Sequence, residues 1–369
     1  MSKQCIRSDL IKIAMSLMLA FGGTVALAAK GNSPPPPLAQ VPTPIQIFGV
    51  WHCGNHYCDW NEDIDIVEFD KTNHWLLERG VGAQPAVNLV VLSFVNPLKM
   101  LNQTDTGLKG MIPRGMTQEV VDYFKFEGIR VMLSIGGITY TDDWDAALAQ
   151  DPTQLGINAA LIAEALDVGI EIDYENSSSP NIAALADFIA AYRSVLPYDA
   201  TGNNHAARLT IDVAAGDRWL IELNRYATQN WLRPDAPVLD YANAMVGGTS
   251  SGTPTDWQEH VDGKPQYAPP VPPLAPAKFT GGLYLKGNIA NCQNFDASEQ
   301  KADANYVQKV LPNQAFPTGT PGMLGYMFWA AGKPSARKNY AGTTDCTGGM
   351  GRAAEVFSIP VPMPALRQK

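Results

Sequence analysis

The sequence predicts an α/β protein whose parallel strands close into a single (β/α)₈ TIM barrel. Short apolar segments alternate along the chain with segments long enough for helices, and this alternation favours a parallel sheet. The chain has 369 residues, of which 46% are hydrophobic, so it can bury a large core. At this length a closed barrel is the natural form of such a sheet.

Eight segments have the apolar character of strands: 45–51, 87–95, 129–135, 169–174, 208–214, 239–245, 279–285 and 323–329. Helical patterns lie between several of them, at 118–127, 156–165 and 182–196. Residues 247–278, rich in Gly, Ser, Thr and Pro, interrupt the alternation and predict a long irregular loop. Because the loops that follow barrel strands form the active-site face, we expect this loop to shape a cleft.

The N-terminal residues have the features of a secretory signal. A basic stretch precedes an apolar run that ends in Ala26-Leu27-Ala28, which is typical of a cleavable signal peptide over residues 1–28. An uncleaved anchor is the alternative. A Pro-rich linker is predicted for 29–44, the barrel domain for 45–358 and a C-terminal tail for 359–369. We therefore expect a secreted or periplasmic protein that has no membrane contact after signal cleavage.

Charge restricts the partners that the chain can take. The formal net charge of −9 argues against nucleic acid and against an anionic membrane surface, and a neutral substrate fits better. We find no phosphate-binding Gly-rich motif and no His-rich metal cluster, so no cofactor is expected. A monomer is expected.

Cysteine usage indicates disulfides. Loss of the signal would leave Cys53, Cys58, Cys292 and Cys346, an even number in an exported chain. The short loop favours Cys53–Cys58, which leaves Cys292–Cys346, although three connectivities remain possible. A zinc site in 52–58 is the alternative, but such sites usually have a second, distant pair of ligands, and none follows here.

Segment 168–175 carries the most informative pattern. Side chains alternate faces along a strand, so Glu171, Asp173 and Glu175 share one face while apolar side chains cover the other. Neighbouring acids at roughly 7 Å resist each other's ionisation, which helps to keep one carboxyl protonated near neutral pH. A general acid requires such a carboxyl. An exposed acidic edge strand is the alternative.

Three motifs together resemble glycoside hydrolase family 18. Segment 168–175 is similar to the family's Asp-x-x-Asp-x-Asp-x-Glu fourth strand. Val131-Met132-Leu133-Ser134-Ile135-Gly136-Gly137 is similar to its Ser-x-Gly-Gly third strand, and Gly325-Tyr326-Met327-Phe328-Trp329 to its eighth strand. The order of these motifs along the barrel strengthens the resemblance.

The resemblance implies roles for the three acids. Glu175 would act as general acid and then as general base, and Asp173 would orient the substrate's 2-acetamido group, whose oxygen is the nucleophile. Glu171 would lie deeper and share a proton or a hydrogen bond with Asp173.

The same resemblance assigns surrounding residues to substrate binding. Trp329 would form the floor of the sugar subsite, and Ser134 would be a hydrogen-bond donor near the deep acids. Gly136 would allow the backbone to approach closely below a sugar, and a simple turn residue at the strand end is the alternative. Trp51 lies at a strand end and is a candidate for stacking on a sugar.

The chain departs from the family pattern in three places. Val168 stands at the first Asp position, and Glu171 replaces the middle Asp. The sixth strand retains Met245, but Gly247 occupies the place of a Tyr that helps to position the acetamide. Tyr284 on the seventh strand is the candidate to take over that role.

The sequence therefore predicts a secreted glycosidase that cleaves β-1,4-linked N-acetylglucosamine polymers, either chitin or chito-oligosaccharides, by a retaining, substrate-assisted mechanism. Two alternatives stay open. One is a non-catalytic or weakly active carbohydrate-binding barrel, and the other is an endo-β-N-acetylglucosaminidase that acts on glycoprotein glycans.

Overall fold

A computed structural model of the chain describes residues 47–55, 57–77, 87–246, 254–284 and 323–332. Eight strands form a closed barrel in which each strand pairs in parallel with the next and β8 pairs with β1. They are β1 (Ile47–Cys53), β2 (Leu89–Val95), β3 (Arg130–Gly136), β4 (Gly169–Asp173), β5 (Leu209–Val213), β6 (Ala242–Ala244), β7 (Phe279–Tyr284) and β8 (Gly325–Ala331). The predicted fold class is confirmed, and each strand lies within a predicted segment or extends it by a few residues.

Helices connect the strands. Those that the structure describes are α1 (Ile66–Leu77), α2 (Pro97–Asn102), α3 (Gln118–Phe126), α4 (Thr141–Gln150), α5 (Pro152–Leu166), α6 (Ile182–Val195), α7 (Ile221–Tyr226) and α8 (Pro254–Asp262). Helices α3, α5 and α6 occupy the three predicted helical segments. Where helices begin, side-chain caps are common: the Asn181 side chain, for example, accepts a hydrogen bond from the amide of Ala184 at the start of α6.

The loop predicted to be irregular at 247–278 contains α8, and in this respect the prediction was wrong. Trp257 and Val261 lie four residues apart on α8 and are both buried. The Trp257 ring lies 5.4 Å from that of Tyr326. Packing of this one apolar face stabilises a helix that the Gly- and Pro-rich composition did not indicate.

The barrel has two apolar layers. The larger one lies between the strands and the surrounding helices and includes Ile170 and Ile172 of β4. The smaller one fills the lower interior of the barrel and includes Ile47, Leu89 and Met327. Strands β1, β2, β3 and β8 therefore have buried apolar side chains on both faces, as expected for a parallel sheet.

Above this apolar floor the interior becomes polar. The buried side chains there are Ser134, Glu171, Asp173, Thr210, Asp212, Asn243 and Thr280. Strand β4 pairs with β3 on one side and with β5 on the other, so its acids lie inside the barrel and not on an exposed edge. The alternative of an acidic edge strand is excluded.

Candidate active site

The three predicted acids lie along β4 and its C-terminal extension. Glu171 and Asp173 are buried, whereas Glu175, two residues beyond the strand, is partly exposed. Tyr174 points to the opposite face, where its hydroxyl binds the Asp145 carboxylate and accepts a hydrogen bond from the Asn181 amide at 3.0 Å. This outward anchor holds the chain at the point where Glu175 leaves the strand.

A cavity of about 250 Å³ opens at this end of the barrel. The residues that line it are Trp51, Tyr57, Cys58, Phe94, Ile138, Thr139, Asp173, Glu175, Asp212, Met245, Val246 and Trp329. The cavity combines carboxyl groups with aromatic and aliphatic walls. That combination suits a ligand with polar edges and apolar faces.

Glu171 lies deepest, and both of its carboxyl oxygens accept hydrogen bonds. Trp51 Nε1 donates to Oε1 at 2.8 Å, and Asn243 Nδ2 donates to Oε2 at 2.6 Å. Burial raises the pKa of Glu171, while these donors and the Ser134 hydroxyl oppose that shift. Trp51, predicted to stack on a sugar, therefore has its indole nitrogen bound to an acid of the site while its ring contributes to the cavity wall.

Asp173 is held by its backbone. Its carbonyl accepts hydrogen bonds from Gly137 N at 3.0 Å and from Trp144 Nε1 at 3.2 Å. Burial raises the pKa of the Asp173 carboxyl well above its usual range, and the neighbouring acids Glu175 and Glu171 raise it further.

Gly136 has a different role from the one predicted. Its φ is +121°, and a Cβ there would lie 2.0 Å from the Asp173 carbonyl oxygen and 2.3 Å from Trp144 Nε1. The residue is therefore needed for the close approach of β3 to β4 and does not line the cavity beneath a sugar. Ser134 lies where it was expected, buried and in register with Glu171.

Glu175 has the properties of a proton donor. Burial raises the pKa of its carboxyl to about 7, and the backbone amide of Ile138 opposes that shift. The group is protonated in mildly acidic solution and still reaches the cavity. A carboxyl of this kind can give up a proton in one step and recover it in the next.

Aromatic rings form one wall of the cavity. Trp329, at the end of β8, is partly exposed and stacks on Phe94, with ring centroids 5.7 Å apart and an interplanar angle of 26°. Its other contact is an edge-to-face arrangement with Trp51 at 6.2 Å. Trp329 thus lines the cavity with an aromatic ring on either side of it, and its role as the floor of a sugar subsite stays a prediction.

The sixth and seventh strands place two further predicted residues. Met245 directly follows β6 and lines the cavity together with Val246. Tyr284 ends β7 in register with Trp329, but its side chain lies outside the described residues, as does Gly247. The proposed substitution of Tyr284 for the missing tyrosine therefore stays a prediction.

Cys53 and Cys58 form the predicted disulfide. The two sulfur atoms are bonded to each other, so they do not serve as zinc ligands. The zinc alternative is wrong for this pair. His52 faces away, with Nε2 2.6 Å from Asn73 Oδ1, and burial lowers its pKa to about 4. The predicted Cys292–Cys346 pair lies outside the described residues.

Several residues of the cavity were not predicted. Asp212 on β5, Phe94 at the end of β2 and Tyr57 in the disulfide loop all line it. Asp212 had a detectable pattern, because Thr210 and Asp212 alternate with Leu209, Ile211 and Val213 as inward polar positions do. Tyr57 and Phe94 had none: Tyr57 lies in a loop, and Phe94 is one apolar residue in a strand composed almost entirely of apolar residues.

The disulfide supports the aromatic wall. Cys53, Cys58 and Ala330 form a buried cluster against which Phe94 and Trp329 pack, and the adjacent Tyr57 is 79% exposed at the cavity mouth. Replacing both cysteines with serine is expected to raise KM for the substrate while kcat changes little, because the loop and Trp329 lose their support.

In the chain-entropy account the same change removes about 2 kcal/mol of stability, as expected for a short loop. Kinetics and thermal unfolding of the variant measure the two effects. Equal KM values for the variant and the wild type would contradict the role of this disulfide in the cavity wall.

The fold and the site together define a barrel with an acidic, aromatic-walled cavity at the C-terminal ends of its strands, where barrel enzymes have their active sites. No protein-family model and no curated protein sequence matches the chain. Solved structures do match it.

A chitinase from Rhizomucor miehei aligns with a TM-score of 0.51 and 13% sequence identity, over 84% of this chain and 99% of that chain. A GH18 chitinase from Pseudoalteromonas aurantia aligns with a TM-score of 0.47 and 14% identity, over 83% and 99% of the two chains. A GH18 chitinase from Cycas revoluta in complex with (GlcNAc)3 aligns with a TM-score of 0.43 and 13% identity, again over 83% and 99%. The alignment with the Rhizomucor miehei chitinase shows that the two chains share the barrel fold.

Proposed function

We propose that this protein is a glycoside hydrolase that cleaves β-1,4-linked N-acetylglucosamine polymers with retention of configuration. The observation that carries the proposal is the placement of Asp173 and Glu175 in one cavity with Trp329. In the proposal, these residues supply a proton donor, a group that orients an acetamide and an apolar platform for a pyranose ring. The common barrel fold is consistent with this function but does not by itself establish it.

In the proposed mechanism, the carbonyl oxygen of the substrate's 2-acetamido group attacks C1, and the glycosidic C–O bond breaks. Glu175 gives its proton to the leaving oxygen. A water molecule then attacks C1 and reopens the cyclic intermediate, and Glu175 takes a proton from that water. Glu175 ends in its starting state, and two inversions at C1 give net retention.

Asp173 would accept a hydrogen bond from the acetamide N–H and stabilise the positive charge that develops on the cyclic intermediate. For this it must be ionised when substrate is bound. Burial raises the pKa of Asp173 in the free protein, and a hydrogen bond from the acetamide N–H would favour the ionised form that this role requires. Glu171, whose oxygens accept hydrogen bonds from Trp51 and Asn243, lies below it as a fixed acceptor.

The cavity walls favour a sugar polymer over a small charged metabolite. Trp329 is partly exposed and can stack on the apolar face of a pyranose ring. Tyr57 and Ile138, which are 79% and 62% exposed, extend the apolar surface outward along the cavity mouth. The acids lie at the base, where a charged anionic ligand would be repelled.

We further propose that the protein is exported, works as a monomer and acts on its polymer outside the membrane. The support is the signal-like N-terminal segment and the disulfide between Cys53 and Cys58. Among the helices in the described ranges, none has the length and apolar character needed to cross a bilayer.

Release of a fluorophore from short N-acetylglucosamine oligomers tests the proposal and its pH dependence. The reaction needs protonated Glu175, and burial raises the pKa of this group to about 7 in the folded protein. We therefore expect kcat/KM to fall as the pH rises through about 7 and to hold at mildly acidic pH. A rate that increases through this range would exclude Glu175 as the proton donor, and no release at any pH would contradict the proposed function.

A further inference from the structure

Asp212 is a buried acid in the cavity wall for which the proposed mechanism has no use. It lies on β5, its side chain is 1% exposed, and it lines the cavity beside Asp173 and Glu175. One of its carboxyl oxygens, Oδ1, is buried without a hydrogen-bond partner. Buried polar atoms are rarely left without partners, so an acid in this position calls for an explanation.

The hydrogen bonds of Glu171 indicate which of two neighbouring acids, Glu171 or Asp212, carries a proton. Trp51 Nε1 can only donate, and it donates to Oε1. Asn243 Nδ2 donates to Oε2, and the orientation of this amide is set because Thr280 Oγ1 donates to Asn243 Oδ1 at 2.7 Å. Both oxygens of Glu171 therefore already accept a hydrogen bond, an arrangement that favours the ionised carboxylate.

Asp212 lies on β5, which pairs with the β4 strand of Glu171, and a hydrogen bond between the two carboxyl groups is one cause of the raised pKa of Asp212. A hydrogen bond between two acids requires one proton, and the two donors that already bind Glu171 favour Asp212 as the acid that carries it. The charged groups that face Asp212 are Glu171, Asp173 and Glu175, all from β4 or its extension. Burial raises the pKa of Asp212 well above its usual range, and the charges of Glu171 and Asp173 raise it further.

We propose that Asp212 is a substrate-positioning residue whose carboxyl donates its proton to Glu171 through one oxygen and presents the other to the cavity as a neutral acceptor for a sugar hydroxyl. This inference rests on the proposed function, because it names a contact to the sugar in the same site. It assigns Asp212 to holding the substrate and leaves the acid–base chemistry to Glu175.

Substitution of Asp212 by Asn and by Leu tests the contact. An Asn amide reproduces the neutral acid, since its NH₂ group can donate to Glu171 and its carbonyl can accept from the sugar. Leu has a similar size and neither group. We expect Leu to lower kcat/KM by roughly 10- to 100-fold, mainly through KM, because a hydrogen bond to a neutral hydroxyl contributes alike in the ground and transition states. The Asn variant should retain most of the wild-type kcat/KM.

The pH profile distinguishes a neutral Asp212 from an ionised one. If Asp212 is neutral, Asn removes no charge, and the alkaline limb set by Glu175 stays at the wild-type pH. If Asp212 is ionised, Asn removes a negative charge, the pKa of Glu175 falls and the limb moves to lower pH. A displaced limb, or equal KM values for the Leu variant and the wild type, would overturn the proposal. Asp173→Asn is the matched control, since the mechanism needs that acid as an anion and the same substitution there should abolish turnover.

Infrared difference spectroscopy of the wild type against Asp212→Asn reports whether Asp212 is protonated. It does not depend on enzymatic activity, so it tests the proposal even if the Leu variant does not fold. At neutral pH we expect the difference spectrum to contain the C=O stretch of a protonated carboxylic acid, shifted by ¹³C-labelled aspartate. Carboxylate bands in its place would overturn the proposal. If the wild type releases no fluorophore from N-acetylglucosamine oligomers but the acid band is present, the proposed function fails while the neutral state of Asp212 stands.

Discussion

Replacing Glu175 with Gln is expected to lower kcat on N-acetylglucosamine oligomers by about 10²- to 10⁴-fold, the usual contribution of a positioned general acid. The amide of Gln has the shape of the protonated carboxyl but no proton that it can transfer. Because the cavity walls are unchanged, binding of the oligomer should persist. Steady-state kinetics and calorimetric titration of the variant with an unlabelled oligomer measure the two quantities separately.

Glu164→Gln is the matched control, since Glu164 is exposed on α5 and does not line the cavity. It should have wild-type kinetics. If Glu175→Gln retains most of the wild-type rate, another group supplies the proton and the assignment of Glu175 is wrong. If the variant loses binding as well as turnover, the residue serves to hold the substrate, and the loss of rate carries no information on proton transfer.

The local pattern of one strand was enough to predict the acids of the site. The period of two along 168–175 separates Glu171 and Asp173 from Ile170 and Ile172, and in the structure these two sets do occupy opposite faces of β4. The strand positions were also predictable, because each is a short apolar segment in a regular alternation with helices. A local sequence pattern predicts which residues share a face when those residues belong to one strand or helix.

Contacts between distant elements were not predictable in the same way. The hydrogen bond from Trp51 to Glu171 joins residues that are 120 positions apart, and that from Asn243 to Glu171 spans 72 positions. Both depend on the closure of the barrel and on the register of strands that are not neighbours. The sequence indicates that Trp51 lies at a strand end, but it does not indicate which group its indole nitrogen meets.

The role of Asp212 also depends on a contact between different elements that the sequence does not predict. A single acid between Ile211 and Val213 is consistent with a polar interior, but its importance arises from the neighbouring strand β4, which places Glu171 beside it. Four carboxyl groups on two strands thus share one end of the barrel. The interior can hold them because donors from β1 and β6 bind both oxygens of Glu171 and because burial raises the pKa of the other three acids.

Removal of the acetamide from the substrate is expected to abolish turnover. Cello-oligomers have the same β-1,4 linkage with a hydroxyl at C2, so they can stack on Trp329 but contain no internal nucleophile. If the acetamide oxygen attacks C1, as proposed, Asp173 has no N–H to bind and no intermediate forms. Initial rates on chito- and cello-oligomers of equal length, measured by the release of reducing ends, test this expectation.

The outcome of that comparison also distinguishes two kinds of carboxylate chemistry. In the two-carboxylate mechanism an enzyme carboxylate attacks C1, and substrates with and without the acetamide can both react. Here the acid nearest to Glu175 on the same face is Asp173, whose raised pKa disfavours the ionised form that a nucleophile requires. Comparable rates on the two oligomers would therefore contradict the substrate-assisted mechanism and favour direct attack by a carboxylate. Turnover of the chito-oligomer alone is the result that attack by the acetamide oxygen requires.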